Sequence, residues 1–182
     1  MNRRGLVVLG VGVALALPAC GRNAARSPSG PFAPDTLTVT SSAFTEGGTI
    51  PAAFTCTGGG RRPPLAWSGD RHGAKALALV VDDPDAPRGT YYHWIVVDLP
   101  TGTTSIGEGA LPGGREIKNS AGRASWTPPC PPSGTHHYRF TVYGLSAPTG
   151  LSSGASINDA LPAIQKAAVV QGRLVGLVSH RG

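Results

Sequence analysis

THHYRFTVYGL, residues 135–145, is the run of sequence that best defines the fold. The side chains of a β-strand point alternately to its two faces. In this run His136, Tyr138 and Phe140 share one face, whereas His137 points to the other. The run therefore predicts a strand whose apolar face begins with His136 and Tyr138.

Other runs have the alternation or the β-branched content that is typical of strands, and turns rich in glycine and proline separate them. They cover residues 36–41, 75–81, 93–99 and 173–179. Several short strands with such turns are typical of an all-β domain.

One late segment, residues 156–170, has the pattern of a helix. Ser156 is a suitable N-cap, and Leu161 and Ile164 keep a helical spacing. Pro162 departs from the pattern, because proline inside a helix removes a hydrogen bond. Together these elements predict a mostly β fold, an antiparallel Greek-key β-sandwich with a C-terminal helix.

The first residues have the features of a secretory signal peptide, which we assign to 1–19. Arg3 and Arg4 give a positive start, and the apolar run 6–17 is well short of the ~20 residues that cross a bilayer. Cys20 follows a small residue, as in the lipobox of bacterial lipoproteins. The alternative is an ordinary signal peptide with a cysteine at its cleavage site.

Residues 20–34 are rich in Gly, Ser, Pro and Ala and predict a flexible tether before a single domain, 35–182. If Cys20 carries acyl chains such as palmitate, two or more of them would hold the protein on a membrane. We therefore expect a lipid-anchored protein on the extracytoplasmic face of the cell membrane.

The charge of the chain gives little support for nucleic-acid binding. The formal net charge is +6, and without Arg3 and Arg4 there remain 14 basic against 10 acidic side chains, a net of +4. No stripe of Lys and Arg with interleaved aromatic residues accompanies this charge. Small anions and anionic lipids remain possible partners, and no nucleic-acid partner is expected.

With Cys20 assigned to lipid, Cys56 and Cys130 remain in the domain. A pair of cysteines in an exported chain predicts a disulfide, although two free thiols are the alternative. Neither has a second cysteine or histidine at the spacing of a zinc finger.

DDPDAPRGTYYHW, residues 82–94, leads into the strand 93–99. Alternation puts His93 on the same face as Ile95 and Val97, at the first inward position. His136 has the equivalent position in its own strand. Two proline-rich loops, DPDAP and PPCPPSGTH, precede the two histidines, and proline holds a loop in one conformation. We expect one shared site, and two separate structural histidines are the alternative.

These motifs also carry a family resemblance. DPDAP followed by HW, then PCPPSGTHHYRFTVYGL, resembles the phosphatidylethanolamine-binding protein family, and in particular its bacterial branch often described as Raf kinase inhibitor-like. FTCTGGGRRPPLAWSG, residues 54–69, supports the resemblance, which spans about 35–180.

The resemblance implies a β-sandwich with a small pocket for phosphate-type anions or phospholipid head groups. In such a pocket the Asp83 carboxylate would orient an imidazole and stabilise its protonated form, which donates to the anion. The ligand-binding residues that the resemblance implies are Asp83, His93, Pro132, His136 and Tyr138.

The resemblance further implies a cis peptide bond between Ala86 and Pro87, because cis bonds concentrate at proline. Some positions depart from the family pattern. Residues 127–129 are Thr-Pro-Pro where glycine is common before the cysteine, and Arg62 replaces a small polar residue. Both changes bear on the width of the pocket.

A binding protein fits the sequence better than an enzyme. Asp83, His93 and His136 suggest a triad, but Ser133 lies in no nucleophile-elbow motif. Two histidines and a carboxylate also suit a metal, yet their spacing gives no support for one. We expect no catalytic residue, metal or cofactor. The alternatives are an inhibitory or scaffolding module for a protease or kinase, whose protein partner the sequence does not identify, and a weak hydrolase.

Overall fold

The structure is a computed structural model, and it describes residues 33–180. The predicted signal peptide, Cys20 and nearly all of the predicted tether lie outside these residues. The elements in chain order are β1 (Leu37–Thr40), β2 (Gly48–Thr49), a 3-10 turn (Ala52–Phe54), β3 (Leu65–Gly69), β4 (Ala76–Asp83), β5 (Tyr91–Leu99), β6 (Ser105–Ile106), β7 (Arg115–Ile117), β8 (Thr135–Leu145), α1 (Ile157–Ala167) and β9 (Ala168–Ser179).

The strands form two sheets. The smaller sheet has the order β1-β3-β6, and the larger has the order β2-β9-β8-β4-β5-β7. The pairs of named strands are antiparallel, as expected, except at one edge, where β2 pairs with β9 in parallel. Backbone hydrogen bonds from Gly47 to Val175 and from Ile50 to Leu177 bring this segment onto the edge in the direction of β9. The Greek-key connections stay a prediction.

The six-stranded sheet is covered on both faces. One core cluster combines residues of both sheets, among them Trp67 and Phe140. The other lies on the opposite face, where Ala160 and Ile164 of α1 join Val80 of β4. A strand that is covered on both sides should be largely apolar. Every residue of β4 is buried, and all are apolar except the last two, Asp82 and Asp83.

The helix is shorter than the sequence predicted. It begins after Ser156, whose hydroxyl accepts a hydrogen bond from the backbone N–H of Asp159, as expected for an N-cap. It ends at Ala167, because Ala168 already pairs with Leu145 in the sheet. The helix therefore lies in the C-terminal part of the chain but precedes the last strand. Among residues 33–180, no helix is long and apolar enough to span a bilayer.

The two sheets approach closely where β1 passes β9. A β-carbon at Gly172 would lie 2.0 Å from the backbone oxygen of Leu37, so the backbone would have to move. We expect Gly172→Ala to lower the free energy of unfolding by about 1–3 kcal/mol, the usual cost of overpacking. Urea denaturation measures it.

Gly107→Ala is the matched control, because its β-carbon would have no neighbour within 4 Å. Equal decreases in the free energy of unfolding of the two variants would contradict the close contact between Gly172 and Leu37.

Candidate functional site

Loops at one end of the large sheet enclose a cavity of about 310 Å³. All five residues that the sequence assigned to the ligand line it. Tyr91, Thr127 and Pro128, which sequence reasoning missed, line it as well. The full set is Asp83, Ala86, Pro87, Tyr91, His93, Thr127, Pro128, Cys130, Pro132, His136 and Tyr138.

A short hydrogen bond joins Asp83 and His136 at the base of the cavity. Asp83 ends β4 and His136 lies near the start of β8, and these strands are antiparallel neighbours, so the two residues meet at one end of the sheet. His136 Nδ1 lies 2.7 Å from Asp83 Oδ2, and both side chains are buried. Asp83 Oδ1 accepts a second hydrogen bond from the Asp85 N–H, at 2.8 Å. Because the carboxylate accepts from Nδ1, a proton gained by His136 would sit on Nε2.

A β-bulge decides where His93 points. Val81 pairs with Trp94 and Asp82 with Tyr92, which leaves His93 as the extra residue of β5. Its ring lies 5.2 Å from that of Tyr138, on the side of the sheet that faces β1, β3 and β6.

Strand alternation had placed His93 on the face of Ile95 and Val97, and this prediction is wrong. Those two residues belong to the cluster on the helix side. The bulge brings the imidazole to the opposite face, and alternation alone does not reveal a bulge. Leu99 also lies on the opposite face from Ile95. The register of β5 against β4 shifts just before it, where Asp98 has a φ of 57°.

The hydrogen bonding of His93 leaves one ring nitrogen available. His93 Nδ1 lies 2.8 Å from the backbone oxygen of Thr127, which can only accept, so Nδ1 carries the proton. Nε2 is buried and has no hydrogen-bond partner. Burial lowers the pKa of His93, although the Thr127 carbonyl and the Asp83 carboxylate oppose the change. The ring is therefore neutral near pH 7, with Nε2 as an acceptor.

The Tyr138 hydroxyl is the second unpaired polar group at the cavity. It is buried close to the Asp83 carboxylate but makes no hydrogen bond of normal geometry. Burial raises the pKa of Tyr138, and the negative charge of Asp83 raises it further. The hydroxyl thus stays protonated and keeps a hydrogen to donate.

Asn119 holds the loop that supports His93, and sequence reasoning missed it. Its buried side-chain amide donates to Thr127 Oγ1 and to the Ser125 carbonyl, each at 2.8 Å. Its side-chain oxygen accepts from the N–H groups of Ala121 and Arg123. The available signal was an asparagine at the start of a turn, a position where its side chain commonly binds the backbone.

Cys56 and Cys130 form a disulfide, with their α-carbons 5.4 Å apart. The Cys56 N–H also donates to the Pro129 carbonyl at 3.0 Å, so the segment after the 3-10 turn is joined to the proline-rich loop twice. Cys130 and Pro132 are exposed and line the cavity. The disulfide therefore fixes one wall of the site.

The expected cis peptide between Ala86 and Pro87 is wrong, because every peptide bond of the described chain is trans. The trans form is favoured by about 0.5–1 kcal/mol even before proline. The chain reverses instead through a turn in which the Gly89 N–H donates to the Ala86 carbonyl at 3.1 Å. Gly89 has a φ of 96°, which glycine adopts without strain.

Three other residues from the sequence analysis lie away from the cavity. His137 is exposed on the opposite face, as alternation predicted, and its Nδ1 contacts Asp85 at 2.8 Å. Ser133 is exposed and is not part of the cavity lining. Arg62 stacks on Trp94, 4.9 Å from the ring centre. Within residues 33–180, no three His, Cys, Asp or Glu side chains are grouped to hold a metal ion.

The state of His93 can be tested by titration. We expect its imidazole to titrate below the ordinary 6.5, because burial disfavours the charged ring. Nitrogen-15 NMR should also show the proton on Nδ1 at neutral pH, since the Thr127 carbonyl fixes this tautomer. The spectrum of His93→Gln identifies the signal. Titration above 6.5, or a proton on Nε2, would contradict the described environment.

Comparisons with known proteins agree with the motifs that line the cavity. Residues 40–179 match the family model of the phosphatidylethanolamine-binding protein. A UPF0098 protein of Mycobacterium tuberculosis is 42% identical over 96% of this chain and 94% of its own length. Another protein of that organism, named "Putative lipoprotein LppC", is 41% identical over 97% of this chain and 96% of its own length.

Solved structures show the same fold. CT736 of Chlamydia trachomatis is 33% identical, with a TM-score of 0.75 over 81% of this chain and 99% of that one. YbcL of Escherichia coli, described as a member of the mammalian family of these proteins, is 27% identical, with a TM-score of 0.74 over 80% of this chain and 99% of its own. The chain therefore belongs to the phosphatidylethanolamine-binding protein family.

Proposed function

We propose that this chain is a lipid-anchored, non-enzymatic binding protein whose cavity takes a phosphate-type anion, either free or as a phospholipid head group. One observation carries the proposal. His93 Nε2 and the Tyr138 hydroxyl are both buried without a hydrogen-bond partner, and both residues line the same cavity. An unpaired buried polar group costs about 1–3 kcal/mol, so two in one place favour a ligand that pairs with them.

A phosphate oxygen suits both groups. The Tyr138 hydroxyl has a hydrogen to donate, and His93 gains a second donor when Nε2 takes a proton. His136, whose Nδ1 is held by Asp83 at 2.7 Å, would likewise offer Nε2–H when it is protonated. When both rings are protonated, they and the Asp83 carboxylate have a net charge of +1, which favours an anion.

The walls of the cavity add few competing donors. Prolines at 87, 128 and 132 lack a backbone N–H, so the side chains of the site define what binds. The disulfide and the hydrogen bonds of Asn119 hold these loops before a ligand arrives, which lowers the entropic cost of binding.

The same geometry supports a role without catalysis. A hydrolase of the serine type needs its nucleophile beside a histidine, and Ser133 lies outside the cavity lining. Tyr138 is a poor nucleophile because its pKa is raised. In this proposal Asp83 orients His136 for ligand binding. Ser133 lies outside the lining and does not complete a triad with them.

The proposed location rests on the first residues of the chain and on a relative. The name of LppC describes that protein as a lipoprotein, and the similarity to it extends over 97% of this chain. Together with Cys20 after an apolar run, this supports an extracytoplasmic protein held at the membrane by acyl chains. Its binding partner would then be close to phospholipid.

Removal of either histidine should weaken anion binding. A hydrogen bond to a charged group contributes about 1.5–3 kcal/mol. At a pH low enough to protonate His93, His93→Ala and His136→Ala should therefore each raise the Kd for phosphate and phosphoethanolamine at least about tenfold. Tyr138→Phe should weaken binding without loss of stability, because it removes a hydroxyl that has no partner. Calorimetry on the full chain with Cys20→Ala, which prevents acylation, measures the Kd.

His137→Ala is the control. His137 lies on the exposed opposite face, so this variant should leave the Kd unchanged.

Binding should also tighten as the pH falls below 6.5, since burial lowers the pKa of His93 and only its protonated ring donates from Nε2. Sulfate is the probe for this series, because phosphate changes its own charge near pH 6. Equal losses in the His136 and His137 variants, or an esterase activity that Ser133→Ala abolishes, would overturn the proposal.

The lipid anchor gives a separate prediction. Cys20 should be the first residue of the mature protein and should carry acyl chains, so the protein should sediment with membranes. Cys20→Ala should move it to the soluble fraction, because the tether alone provides little affinity for a bilayer. Mass spectrometry of the purified protein identifies the N-terminus. An unmodified N-terminus at another residue would refute the anchor.

A further inference from the structure

The Cys56–Cys130 disulfide lies between two cavities and is accessible from the surface. Both cysteines are exposed, and both line a second cavity of about 490 Å³. Cys130 and Pro132 also line the proposed anion cavity, so this short segment is a wall that the two cavities share. Exposed disulfides are reduced more easily than buried ones, because a thiol must reach a sulfur atom to attack it. A thiol in the second cavity can therefore act on the bond that fixes the wall of the first.

The lining of the second cavity suits a small polar thiol. Thr49, Thr57 and Ser179 are exposed residues with hydroxyl groups, and the described lining contains no Asp or Glu that would repel a thiolate. His180 belongs to the same lining, and its Nδ1 lies 3.0 Å from the Pro131 carbonyl, which can only accept. Nδ1 therefore carries a proton, and Nε2 of the neutral ring can take one from an incoming thiol.

The proline-rich segment of the wall is held in place from outside. Four of the five residues 128–132 are proline, so within the segment only Cys130 has a backbone N–H to donate. The Cys56 N–H donates to the Pro129 carbonyl at 3.0 Å, and the disulfide joins Cys56 to Cys130. Cys56 therefore holds the wall at two points. Reduction removes the covalent one, so the wall becomes less rigid.

We propose that the Cys56–Cys130 disulfide is a redox switch of the anion cavity, operated by a low-molecular-weight thiol that enters the second cavity. The effect on the anion rests on the proposed function. A thiolate RS⁻ attacks one sulfur of the disulfide, and the S–S bond breaks. The other cysteine leaves as a thiolate and takes up the proton that the thiol lost.

A second thiolate completes the exchange. It attacks the R-bearing sulfur of the mixed disulfide, which forms RSSR and releases the remaining cysteine, and this cysteine also takes up a proton. Two thiols RSH are thus oxidised to RSSR, while the protein disulfide is reduced to two cysteine thiols.

Anion affinity in the two redox states tests the switch. The full chain with Cys20→Ala has no cysteine besides Cys56 and Cys130, and reduced glutathione at alkaline pH provides the thiol. The sample is then brought to a pH that protonates His93, which also stops the exchange because thiols rather than thiolates remain. The Kd for sulfate from calorimetry should be about three- to tenfold higher for the reduced protein, since a mobile wall must be ordered on binding.

A variant without the disulfide gives an independent check. Cys56→Ser combined with Cys130→Ser should have the raised Kd without any thiol and should not respond to glutathione. The oxidised protein, carried through the same pH steps without glutathione, is the control. Thiol titration verifies the redox state, and circular dichroism verifies that the reduced protein and the serine variant are folded.

Entry through the second cavity is tested by blocking it. Thr49 is an exposed residue of its lining and lies outside the lining of the anion cavity. Thr49→Trp should slow reduction by glutathione at least about fivefold, because access limits thiol exchange. It should leave the Kd of the oxidised protein for sulfate unchanged. Thr38→Trp, on the exposed side of β1, is the control and should change neither quantity.

The outcomes separate this inference from the function on which it rests. If glutathione reduces the disulfide only after unfolding, or if the reduced protein and the serine variant lose their fold, the disulfide is structural and the switch is wrong. If both redox states bind sulfate with the same Kd, the switch is wrong while the anion site stands. If neither state binds sulfate, the anion site itself is wrong. Equal reduction rates in the two tryptophan variants would show that the thiol does not enter the second cavity.

Discussion

One extra residue in β5 determines the chemistry of the cavity. Without the bulge, the His93 ring would lie on the face of Ile95 and Val97, away from Tyr138 and the cavity. The bulge brings it instead against Tyr138, and the Thr127 carbonyl then holds Nδ1 at 2.8 Å. Nε2 is left free at the cavity only because both conditions are met. The loop 119–127 and the bulge in β5 therefore act together to leave Nε2 of His93 without a partner.

Two neighbouring aspartates at the end of β4 serve different purposes. Asp82 contacts Arg139, its register partner on β8, through both carboxylate oxygens. Burial nevertheless raises the pKa of Asp82, which shows that the ion pair does not fully offset the loss of water. Asp83 contacts His136 instead. An arginine partner is permanently charged, whereas a histidine can gain or lose a proton. Of these two aspartates, only Asp83 therefore has a partner whose charge can change.

Alternation in the sequence was sufficient where the strands are long and regular. It correctly separated His136 and Tyr138 from His137, because β8 continues for 11 residues without an irregularity over that part. It failed at His93, where the bulge reverses the face. It also missed the short strands β2, β3, β6 and β7, which contain between 2 and 5 residues and are too short to show a period.

The family motifs predicted which residues share the cavity more reliably than strand alternation predicted where their side chains lie. Asp83, His93, Pro132, His136 and Tyr138 were all placed at one cavity, although the peptide bond before Pro87 is trans and the face of His93 was misjudged. A motif states which residues come together and leaves open how the backbone brings them there. Asn119 was missed for the same reason, since its role depends on loop contacts that no local pattern expresses.

The proline-rich loop is a wall that two cavities share, because Cys130 and Pro132 line both. Its buried prolines, Pro129 and Pro131, pack inward and alternate with Cys130 and Pro132, which are exposed. The disulfide and the hydrogen bond from Cys56 to Pro129 hold this thin wall in place. The prolines at 128, 129, 131 and 132 lack a backbone N–H, so the side chains of each lining determine what it can bind.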